Sequence, residues 1–205
     1  LKEGIICIVM AAPIFYSVAL VTGLLMDYWK RRRSRSRVWI LLPLIVFSME
    51  GTPRGWDMSR NEVVTRSRIL NLSEEEVMEK LAATPVFREP PLLLRAGFPQ
   101  PVQTWGEGLE PGSRRVILFA GGEGDPGLLR LELEDRTADG LRWRVLGDES
   151  HIAHWLAWQQ IEITWSPSGE GHLELQWTTH FQRSLSPGLW FAPAQRFIVG
   201  LMIDY

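Results

Sequence analysis

Cysteine is almost missing from this chain of 205 residues, since Cys7 is the only one. It sits inside an apolar run, which excludes a disulfide framework, a cysteine-based metal knuckle and an obvious thiol nucleophile. Positive charge is scarce outside one short stretch. The 22 Lys and Arg nearly balance 24 Asp and Glu, but Lys30, Arg31, Arg32, Arg33, Arg35 and Arg37 crowd into eight positions. The rest of the chain therefore carries about −8. A nucleic-acid binder needs a broad basic face, so nucleic acid is excluded as a partner. Internal repeats are absent, and the glycine-rich "AGGEGDPG" at 120–127 lacks the Gly-Lys-Ser/Thr ending of a phosphate loop and opens no helix. It reads as a hairpin turn.

What is present begins with residues 5–26, which hold no charged side chain. At 1.5 Å per residue they span roughly 33 Å, enough for a hydrocarbon core of about 30 Å. A signal peptide would carry its cations before the apolar core, and here they follow it. A second apolar run, Val38 to Met49, is shorter and contains Pro43. It crosses only if flanking arginines snorkel and neighbouring residues lie in the interface. The expectation is a transmembrane helical hairpin over 1–51 with a basic turn at 30–37. Short Lys/Arg-rich loops stay cytoplasmic, so the domain belongs on the extracytoplasmic side of the membrane. Both chain ends, Leu1 and the apolar run at Tyr205, are expected to be cut.

The polar, turn-rich segment 52–61 reads as a linker. Beyond it, 62–70 is β-rich, and Ser73 followed by three glutamates caps a helix with Val77 and Leu81 at helical spacing. Strands are expected at 113–119, 128–135, 140–147, 157–165 and 171–182, joined by hairpin turns. Ile161, Ile163 and Trp165 share one parity, as do Leu173, Leu175, Trp177 and Phe181, so one face of an antiparallel sheet is buried. The closing stretch 187–205 suits a long helix packed on that face. The class is α+β, with one domain over 62–205.

"VVTRSRILNLSEEEVMEKL" at 63–81, "EPGSRRVILF" at 110–119, "LRWRV" at 141–145 and "LELQWTTHFQRSLSP" at 173–187 carry a resemblance. Together they resemble the START-like (SRPBCC) superfamily of polyketide cyclases and lipid-transfer domains. The apolar segment and linker before them look like its membrane-anchored, uncharacterised bacterial branch, which implies a bacterial inner or plasma membrane. The resemblance implies a helix-grip fold, in which a curved antiparallel sheet wraps a long C-terminal helix around a cavity. It brings no universal catalytic residues.

Chemistry candidates are few. Asp148, Glu149, His151 and His154 cluster in "DESHIAHW" without matching a zinc signature, so the cluster reads as a solvated loop and no metal or cofactor is expected. His172, Thr178 and His180 take the outward parity. Arg183 and Arg196 are candidates to meet an anionic head group at the cavity mouth, against ordinary surface ion pairing. Ten tryptophans suit an apolar core or cavity lining. The ligand contacts expected are Trp143, Ile163, Trp165, Leu175, Trp177, Phe197 and Leu201. The first reading is a membrane-anchored module holding a lipid or other hydrophobic small molecule, with the bilayer as a further partner. An enzyme using His151 or His154 on a hydrophobic substrate, and a scaffold for a partner protein, are the alternatives.

Overall fold

The computed structural model describes residues 5–32, 59–95, 97–122, 124–169 and 171–205. The first element is helix α1, Ile5–Arg32. It runs on through Lys30, Arg31 and Arg32, so half of the cations expected in a turn continue a helix. The rest of that run, the second apolar segment and residues 52–58 of the linker lie outside the described residues.

Among the described residues no helix is long and apolar enough to cross a membrane. This corrects the expected transmembrane hairpin and the placement of the chain in a bacterial inner or plasma membrane with its domain on the extracytoplasmic side. Phe15, Tyr16, Leu20 and Leu24 of α1 are exposed.

The domain follows in the order β1 (Asn61–Leu70), α2 (Glu74–Ala82), α3 (Leu92–Arg95), β2 (Gln100–Trp105), β3 (Arg114–Ala120), β4 (Gly127–Arg136), β5 (Gly140–Asp148), β6 (Leu156–Pro167), β7 (Leu173–Arg183) and α4 (Gly188–Asp204). The seven strands form one sheet, ordered β1-β7-β6-β5-β4-β3-β2, and every pairing is antiparallel. The first two strands in sequence thus occupy opposite edges, and α2 and α3 lie on the connection between them. A curled antiparallel sheet with α4 across its concave face is the helix-grip arrangement.

Local chemistry accounts for these elements. Ser73 and Glu76 form a reciprocal capping box at the start of α2: the Ser73 amide donates to Glu76 Oε2 at 2.8 Å, and the Glu76 amide donates to Ser73 Oγ at 3.3 Å. Hydrogen bonds donated by the Ser73 amide and by its hydroxyl hold the Glu76 carboxyl below its ordinary pKa. Alternation sets the sheet faces: Leu129, Leu131 and Leu133 of β4, and Ile161, Ile163 and Trp165 of β6, point into the core. The opposite face carries cross-strand ion pairs. Glu132 accepts from Arg114 at 3.0 Å and from Arg144 at 2.5 Å, and those guanidiniums, Arg144 first, keep its carboxyl low.

Strand β2 was not expected, because Pro101 lies within it. Proline cannot donate to a ladder, but β2 is the edge strand, where that loss is tolerated, and its pairing with β3 is bulged between Pro101 and Gln103. Helix α4 is tied to the other edge. Arg196 Nε donates to the buried Glu62 at 2.5 Å, and Arg66 lies 3.4 Å from Asp204.

Candidate ligand cavity

Between the concave face and α4 lies a cavity of about 310 Å³. Each wall comes from a different element: Leu81 from α2, Pro101 and Thr104 from β2, Ile117 and Phe119 from β3, Leu129 and Leu131 from β4. Trp143 of β5, Ile163 of β6 and Trp177 of β7 line the same space, and Val199, Met202 and Ile203 of α4 close it. Pro85, Val86 and Phe87 stand at the rim, where Val86 is 90% exposed. The opening therefore lies in the segment between α2 and α3.

The sequence-expected contacts divide. Trp143, Ile163 and Trp177 reach the cavity. Trp165 does not, although it shares their face: it is a buried core residue whose Nε1 donates to Glu74 Oε1 at 3.1 Å, beneath the start of α2. Its pair partner Leu175 packs on the core at the same level. On α4, Phe197 is 54% exposed and Leu201 packs against the small cluster of Leu94 and Phe98. These four positions lie outside the cavity lining. Parity identifies the inner face of a strand, but not how far along it the cavity extends.

Several lining residues were not singled out in the sequence, Arg115 chief among them. Trp158 faces inward because a bulge between Trp158 and Gln160 resets the parity of β6. Arg115 has the parity of Ile117 and Phe119, a signal that was available. Its Nη2 donates to the Leu81 carbonyl at the end of α2, and its guanidinium lies 4.9 Å from the Trp143 ring centroid. Burial pulls its pKa down. Tyr205, whose hydroxyl donates to the Arg88 carbonyl and stacks its ring on Phe87 at 5.9 Å, is the other titratable group in the lining, and burial pushes its pKa up.

The histidine cluster lies apart from the cavity lining. Residues His151–His154 form a 3-10 turn in which the two imidazoles sit 5.0 Å apart and His151 meets Trp155 edge-on at 5.4 Å. Asp148 accepts from the Ser150 amide at 2.8 Å, and burial raises its pKa. Among the described residues no group of three or more His, Cys, Asp and Glu side chains is placed to hold a metal ion. On the outer face, Thr178 Oγ1 meets Thr65 Oγ1 at 2.9 Å, His180 lies 4.0 Å from Glu162, and His172 is exposed. Arg183 is 1% exposed and donates to the Leu185 carbonyl, while Arg196 is committed to Glu62. Neither lines the cavity.

No family model matches the chain, and no curated protein does. Solved structures do. The chain is similar to a structural-genomics protein from Chromobacterium violaceum, at 13% identity over 69% of this chain and 94% of that one, with a TM-score of 0.42. It is similar to a major latex-like protein of Panax ginseng, at 10% identity over 71% and 95%, with a TM-score of 0.43. A third is Ara h 8.0201, at 8% identity over 70% and 93%, with a TM-score of 0.41. Likeness at this level carries no function across, and none of it supports a membrane-anchored branch.

Proposed function

We propose that the domain is a binding module that holds a lipid or another hydrophobic small molecule in the cavity beneath α4. The carrying observation is the cavity itself: about 310 Å³, walled on nearly every side by apolar and aromatic side chains, with its rim at Val86. Ligand pockets are commonly of this size and lining. A scaffold with a filled interior would have its own side chains in that space. The enzyme alternative finds less support, because His151 and His154 do not line the cavity and, among the described residues, the lining holds no carboxylate.

The test is to titrate the protein with the neutral fluorescent reporter N-phenyl-1-naphthylamine, alongside native mass spectrometry of protein that has not been delipidated. Saturable one-to-one binding, competed by whatever apolar molecule co-purifies, is the expected result. A reporter that does not bind protein stripped of any co-purified molecule overturns the reading.

A further inference from the structure

The cavity is apolar except where it is basic. Outer-face arginines on these strands meet acids: Arg114 pairs with Glu132 at 3.0 Å and Arg142 with Glu162 at 3.2 Å. Arg115, one position on, turns inward and meets none among the described residues. It has the Leu81 carbonyl and the Trp143 ring, while its buried Nε has no hydrogen-bond partner. Thr104 sits on β2 opposite Ile117, diagonal to Arg115 on the same face. It is 5% exposed, and its buried Oγ1 is also without a partner. Trp158, which lines the cavity, carries a third buried donor without a partner, Nε1. All three atoms can donate a hydrogen bond, and among the described residues no acidic side chain in the lining is available to accept.

Leaving buried donors unmet is costly, and a buried cation without a counter-charge more so. An occupant that supplies an acceptor offsets that cost, and an anionic one does so most strongly. We infer that the occupant is an amphiphile with one anionic head, of the carboxylate class, which docks on Arg115 beside Thr104 while its apolar body lies along Trp143, Ile163 and Trp177. This rests on the cavity being a ligand site, and it adds head-group selectivity to that reading.

The experiment measures displacement of N-phenyl-1-naphthylamine by decanoate and by decan-1-ol at neutral pH, in the wild type, Arg115→Met and Arg115→Gln. The glutamine variant keeps a donor for the Leu81 carbonyl, so it covers the case in which the methionine variant fails to fold. Both variants should weaken decanoate about tenfold or more and leave decanol within about threefold, the size expected for one hydrogen bond to a charged group. Equal losses for acid and alcohol would make Arg115 a structural cap and overturn the inference, as would an unchanged decanoate affinity. Either result leaves reporter binding intact, whereas a wild type that does not bind the reporter removes the binding reading itself.

Discussion

Trp165 and Trp177 sit on the same face of neighbouring strands, two residue pairs apart along the ladder, yet the domain uses them differently. Trp165 pairs with Leu175 under the start of α2, is 5% exposed, and has its indole N–H bonded to Glu74. Trp177 pairs with Ile163, is half-buried and lines open space, its Nε1 donating to Thr179 Oγ1 at 3.2 Å. The concave face therefore has a packed end and a hollow end. What separates them is the reach of α2, whose nine residues cover one end of the sheet.

The strongest way to break this comparison is Trp165→Ala. Removing a fully packed ring should cost about 3–5 kcal/mol in chemical denaturation and leave reporter affinity in the folded fraction unchanged. A cost well below that, with altered reporter binding, would extend the hollow end past α2. Trp177→Ala should cost about half as much or less, because one side of the ring already lacks packing partners. It should also change the affinity or emission of bound N-phenyl-1-naphthylamine. Equal penalties for the two tryptophans would erase the distinction.

The smallest effect belongs to the outer face, where Glu132→Gln should leave reporter binding untouched and shift stability only with pH. Arg144 and Arg114 lower the folded-state pKa of Glu132, so its contribution is present above the ordinary carboxylate range and is lost as pH falls through the lower folded value. Thermal midpoints recorded from about pH 6 down to about pH 2 should thus fall more steeply for the wild type than for the variant.

Much of this was legible in the chain. The Ser73 capping signal placed α2, and strict alternation in β6 and β7 placed the inner face, because both depend on spacing alone. The ends of the cavity were not legible. Trp165 and Trp177 carry identical signals, and only the three-dimensional reach of α2 tells them apart. Helix α4 is apolar on nearly all sides, so no stripe marked Val199 and Ile203 over Phe197 and Leu201. Strand β2 was hidden by Pro101, and Arg115 by the habit of reading arginine as outward. Its parity with Ile117 and Phe119 argued otherwise. The extent of α1 also departed from expectation, since the helix continued into its basic residues.

One consequence concerns the free edge at β2. Pro101 has no amide hydrogen there, and the bulge after it breaks the regular ladder. An incoming strand would find a damaged template along that margin, which guards against edge-to-edge aggregation. The same strand gives Pro101 and Thr104 to the cavity wall. The cavity is thus walled, on that side, by the strand whose outer margin is least able to template another.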